Sequence, residues 1–125
     1  MKIIETALQV LNDEIDGINL LKKFFDSNFE DAVKTIFDSN GKVVVSGVGK
    51  SGHVGRKISA TLSSTGTPSF FIHPTEASHG DMGMIEKNDV ILAISWSGET
   101  TELGDIVRFA PVSYTHLRAH ETCLD

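Results

Sequence analysis

The stretch VVVSGVGKSGHVGRK, from Val43 to Lys57, limits the fold more than any other part of the chain. A short β-branched run marks a strand buried on both faces. It passes directly into Gly47, Gly49 and Gly52, spaced G-x-G-x-x-G, and then into a helical pattern. That pattern predicts a helix from about Gly52 to Ser64, with Val54, Ile58 and Leu62 facing inward. GTPSFFIH reads as a second strand and DVILAISWSG as a third. Strands alternating with helices imply right-handed crossovers and a parallel sheet. The predicted class is therefore α/β, a doubly wound parallel sheet cut after about three strands and preceded by N-terminal helices. The first of those helices is announced by Ile4, Leu8, Leu11, Ile15 and Ile18, which recur at helical steps, with Gly17 expected to weaken or kink it. A second helix is expected to carry Phe29, Val33, Ile36 and Phe37 on one face and to stop at SNG, with Gly41 in a left-handed position.

Composition narrows the class of function. At 125 residues the chain holds one domain at most. A net charge of −6 argues against a nucleic-acid partner, which needs a basic face. No apolar run approaches the length of a spanning helix, and the start lacks the pattern of a secretory signal. The single cysteine, Cys123, leaves neither an internal disulfide nor a C-x-x-C site. A reduced, cytoplasmic α/β domain is expected, with no membrane partner. The last stretch, PVSYTHLRAHETCLD, departs in style and holds the only Tyr and the only Cys. Residues 1–110 are accordingly read as a partial domain and 111–125 as a non-native tail. His116 and His120 share an i, i+4 spacing there, but Cys123 is wrongly placed to complete a metal set.

Which anion the glycine-rich turn could hold is decided by spacing. A P-loop needs a glycine five residues ahead of its GKS glycine, and Val44 occupies that position. A dinucleotide site needs an acid at the end of the second strand, where His73 stands, with Glu76 only beyond a proline. NAD is not expected, and no other cofactor is called for. What remains is a helix start with unpaired N–H groups, Lys50 and Ser51. Either Ser51 caps the helix and Lys50 lies in solvent, or both hold an anion. ISWSGET offers a second such turn, with Ser95, Ser97 and Thr100 around Gly98. Here Ser97 could cap a helix whose Glu99 and Glu102 complement its dipole. Two hydroxyl-rich turns at the carboxyl ends of parallel strands nevertheless face one crevice, and a single small monophosphate would account for both. Between them HPTEASHGDMG brings His73, Glu76, His79 and Asp81 into one Gly- and Pro-punctuated loop.

From Val43 to Leu103 the sequence closely resembles the arabinose-5-phosphate isomerases of the SIS (sugar isomerase) fold, through GKSGH, STGTP, HPTEASHGD and SGETTE. The resemblance implies interconversion of ribulose 5-phosphate and arabinose 5-phosphate, on the route to the eight-carbon sugar of lipopolysaccharide. It also implies a homotetramer, usually with a regulatory CBS pair downstream. Position by position it makes Lys50 and Glu102 catalytic, and Gly66 and Thr67 substrate contacts. It makes His73 and His79 substrate-binding, with His73 also able to take an inhibitory metal. SIS domains generally would add phosphate contacts from Ser95, Ser97 and Thr100. Trp96 departs from the polar residue usual within that turn. The later segments that carry a further glutamate and histidine do not follow, so this chain alone is expected to be inactive.

Isomerisation needs a group that moves a proton between adjacent carbons and donors that stabilise the enediolate. On the resemblance, Glu102 is the proton carrier and Lys50 the electrostatic stabiliser or phosphate partner. His79 would assist ring opening. Two rivals stand beside this reading. A non-catalytic SIS sugar-phosphate regulator would need a DNA-binding module that the N-terminal region does not supply. Another SIS sugar-phosphate isomerase is the second, although HPTEASHGD favours the pentose phosphate. If 111–125 is foreign to the fold, deleting Pro111 to Asp125 leaves the melting temperature unchanged within error in a thermal scan.

Overall fold

The computed structural model describes residues 2–78, 80–95, 104 and 106. They divide into two compact units, separating between Asp31 and Ala32. In the first, α1 (Ile3–Leu20) runs unbroken through Gly17 and is prolonged by a 3-10 turn at Leu21–Phe24. Its apolar stripe is real but uncovered: Ile4, Leu8, Leu11, Ile15 and Ile18 are all exposed. Asp26 then opens α2 (Ser27–Asp38), its carboxylate accepting the N–H groups of Asn28 at 3.0 Å and Phe29 at 3.2 Å. That is the usual acidic cap.

The second unit is a three-stranded parallel sheet in the order β2-β1-β3, where β1 is Val43–Gly47, β2 Ser69–Phe71 and β3 Val90–Ile94. Every residue of β1 is buried, as its β-branched run predicts. On one face Val43, Val45 and Leu92 pack against Ile36 of α2 and against Ile58 and Leu62 of α3 (Lys50–Ser64). On the other, Val44, Ile91 and Ala93 meet Ile72, Ile85, Ile106 and Ala77, the last from the short helix α4 (Pro74–Ser78). Helices on both faces of a parallel sheet make the doubly wound α/β architecture.

Three details differ from the periodicity. Val54 of α3 is exposed at 55%, and the buried positions beside it are Gly52, Gly55 and Ser59. The helix lies so close to the sheet that small residues, not branched ones, fit the contact. On α2 Ala32 is buried and Ile36 is half-buried against the sheet, while Phe29, Val33 and Phe37 are exposed. The small Ala32 rotates the contacting face away from Phe37. Gly41 has no positive φ. Its glycine is needed because a Cβ there would collide with the backbone carbonyl of Asn88.

Two polar clamps set the register. Asp89 is fully buried ahead of β3 and accepts the N–H groups of Lys42 at 2.8 Å and Glu86 at 2.7 Å. The Lys42 ammonium lies 3.7 Å from the same carboxylate. At the sheet edge, Ser69 donates its hydroxyl to the Val43 carbonyl at 2.8 Å, so the hydroxyl of Ser59, 2.9 Å away, must be the donor to Ser69. Ser63 also donates to the Ser69 carbonyl at 2.8 Å, tying this three-residue edge strand to α3. Replacing Asp89 by Ala strands two backbone donors and should cost about 1–3 kcal/mol in urea unfolding. Lys42→Met, which removes the contacts of a part-exposed ammonium with Asp89 and Glu86 and leaves the backbone clamp intact, should cost less than about 1 kcal/mol.

Candidate functional site

A parallel sheet places all its carboxyl ends on one side, and ligands bind where the strand order reverses. Here β1 leads outward to β2 on one side, and the chain then returns to β3 on the other. The reversal lies between β1 and β3. Their register pairs Gly47 with Ile94, so Val48 and Ser95 follow at the same level at the mouth of the crevice. Ser95 is buried there.

Glycine geometry brings α3 to this point. A Cβ on Gly47 would stand 3.0 Å from the carbonyl of Ile94 and 3.0 Å from that of Ser51. A Cβ on Gly52 would stand 2.7 Å from the Gly47 carbonyl. Between them Gly49 adopts φ 62°, a left-handed value that glycine takes without strain. The helix therefore starts earlier than its periodicity suggests, at Lys50, with Gly49 in the cap position. Ser51 is not the cap. It sits half-buried inside the first turn, no side chain caps the helix, and no acidic residue lies in that turn. Lys50 is exposed at the positive end of the helix dipole. Charge and dipole add there instead of compensating, a pattern that favours an anion.

His73 approaches from the neighbouring strand. Both polar backbone groups of Ile72 are tied to β1: its N–H donates to Val45 at 2.9 Å, and its carbonyl accepts the buried Ser46 hydroxyl at 2.6 Å. The backbone therefore enters His73 from a fixed point at the carboxyl edge. His73 caps α4, its Nδ1 accepting the Thr75 N–H at 3.1 Å and its carbonyl the Ala77 N–H at 2.9 Å. Among the described residues no cluster of three His, Cys, Asp or Glu side chains could hold a metal ion.

Gly66 and Thr67 lie elsewhere. Gly66 has φ 99°, and the Thr67 N–H reaches back to the Leu62 carbonyl at 2.9 Å, which closes the C-terminal end of α3. Fifteen residues of helix separate them from the crevice, roughly 22 Å at the α-helical rise. Within one chain they do not join Lys50. His79, Ser97, Gly98, Thr100 and Glu102, and the non-polar departure Trp96, lie outside the described residues.

Two neighbours of the site escaped the motif reading. Ser46 was legible as the lone hydroxyl in an apolar strand. Arg56 stacks on the ring of Phe71, at 4.3 Å from its centroid. No one-dimensional signal links those two positions, since the stacking exists only once α3 lies over β2. Gly52→Ala should force α3 away from β1, lowering the melting temperature by several degrees and weakening any anion held at Lys50, both measurable on the purified chain.

Comparison with known proteins bears on the family to which these elements belong. A family model for the SIS domain matches residues 35–111. The arabinose 5-phosphate isomerase KdsD of Yersinia pestis is 56% identical over 99 residues, covering 79% of this chain and 30% of that protein. The KdsD of Pseudomonas aeruginosa is 52% identical over 103 residues, covering 82% and 32%. Among solved structures, a protein of E. coli CFT073 in complex with arabinose 5-phosphate superposes with a TM-score of 0.82 at 38% identity, covering 97% of this chain and 65% of the other. The chain thus spans about a third of the length of the curated relatives it matches. The turn geometry, the parallel sheet and these matches agree, and the chain belongs to the SIS domain family.

Proposed function

We propose that the crevice between β1 and β3 binds a five-carbon sugar monophosphate, and that in the complete enzyme this segment takes part in the interconversion of ribulose 5-phosphate and arabinose 5-phosphate. The observation that carries the reading is the uncapped, acid-free start of α3 with Lys50 upon it, at the reversal point of the sheet. The names of its relatives supply the sugar. In this reading Lys50 and the first N–H groups of α3 neutralise phosphate or enediolate oxygens. Ser51 and Ser95 border the phosphate, and Ser97, Gly98 and Thr100 continue its cradle. Glu102 carries the proton between carbons, and His79 assists ring opening. His73 addresses a sugar oxygen. The product would feed lipopolysaccharide synthesis in the cytoplasm.

The proposal includes self-association, as a tetramer in the intact enzyme. Gly66 and Thr67 stand far from Lys50 in one chain. If they touch the same ligand, as the family resemblance implies, they do so from a second copy. The uncovered apolar stripe of α1 is consistent with such an assembly.

Isothermal titration tests the ligand. Arabinose 5-phosphate should bind the chain, and NAD should not. Lys50→Met should weaken the sugar phosphate by about tenfold, as expected when one charged hydrogen bond is lost. Binding of NAD alone, or unchanged affinity in the variant, would sink the assignment.

A further inference from the structure

We propose that His73 addresses the ligand as a hydrogen-bond donor, through Nε2–H, because the start of α4 fixes which of its nitrogens carries the proton. The argument begins with Thr75. Its backbone N–H can only donate, and it points at Nδ1 of His73 from 3.1 Å. Nδ1 must therefore present a lone pair. A neutral imidazole has one N–H, so the proton resides on Nε2.

The surroundings hold this arrangement in place. Pro74 is buried and, lacking an N–H, leaves Thr75 as the first donor of the helix that a side chain can cap. Ala77, fully buried in the core, anchors the other end of the same turn. Ile72 is tied to β1 through both of its backbone groups. Turning the ring over would trade the lone pair at Thr75 for a C–H and leave that N–H uncapped. His73 makes no other side-chain hydrogen bond among the described residues, so Nε2 is the nitrogen left for a ligand.

The consequence is a selective one. In this tautomer His73 complements an oxygen with a lone pair, whether hydroxyl, carbonyl or phosphate. Nε2 already carries the proton and has no lone pair to act as a base, and a proton added at Nδ1 would be set against the Thr75 N–H. His73 is thus a binding and orienting group, and the proton transfers of isomerisation fall to other residues. Naming the ligand rests on the sugar-phosphate reading given above. The tautomer does not.

Two substitutions separate the nitrogens. His73→Asn places an acceptor near Nδ1 and nothing at Nε2, whereas His73→Gln places a donor near Nε2 and sacrifices the cap. His73→Asn should keep the melting temperature and lose about three- to tenfold in arabinose 5-phosphate affinity. His73→Gln should do the reverse, losing melting temperature while holding affinity within about threefold. Affinity and stability falling together in both variants would overturn the donor role. So would full affinity in His73→Asn. Nitrogen NMR of the labelled wild-type chain reads the tautomer directly and independently of any ligand. A proton on Nδ1 refutes the inference even if the sugar binds. A proton on Nε2 in a chain that binds no sugar phosphate upholds the tautomer and discards the ligand.

Discussion

The close approach of α3 to β1 is the contact on which the rest depends. With glycine at 47, 52 and 55, the helix backbone rests on the strand with no side chain between them at its first turns. A Cβ on Gly55 would come within 3.1 Å of Val45 and 3.0 Å of Phe71. That proximity brings the helix start to the carboxyl edge of the sheet. It also seats Phe71 under α3, where Arg56 stacks upon it. Branched residues at these positions would improve the apolar count and push Lys50 away from the crevice.

Local rules are broken on α3 in a consistent direction. A stable helix start usually carries a capping side chain and an acid in its first turn, each contributing roughly 0.3–1 kcal/mol or more. This one has neither and carries Lys50 instead. At α2 the same chain follows the rule: Asp26 caps the helix, and Glu30 lies in its first turn. What sets α3 apart from α1, which is likewise uncapped, is that its first turn has a lysine and no acid.

Buried polar groups serve the scaffold in two different ways. Asp89 and the Ser59–Ser69 pair hold register and edge, far from the carboxyl side where a ligand would sit. Ser46 does the same work at the site itself, because its hydroxyl fixes the carbonyl of Ile72 one residue ahead of His73. Among the described residues every buried side-chain polar atom is partnered. Desolvated donors and acceptors are therefore turned into positional constraints.

The sequence by itself determined the class of fold and the order of its elements. Those follow from local chemistry: β-branched runs, turn residues and the spacing of glycines each act over a few positions. It also excluded a P-loop and lacked the acid of a dinucleotide site, since both depend on a residue at a fixed offset. Of the residues it turned inward, Ile36, Ile58 and Leu62 do pack against the sheet, whereas Val54, Phe29, Val33 and Phe37 are exposed. Periodicity identifies an apolar stripe but not the depth at which a helix rests, and here small residues set that depth. Tertiary structure alone decided that Gly49 and not Ser51 takes the cap position of α3, and that Gly66 and Thr67 lie at the far end of that helix. It alone brought Arg56 onto Phe71. Such facts depend on how strands order and how closely backbones approach, distances that no one-dimensional pattern encodes.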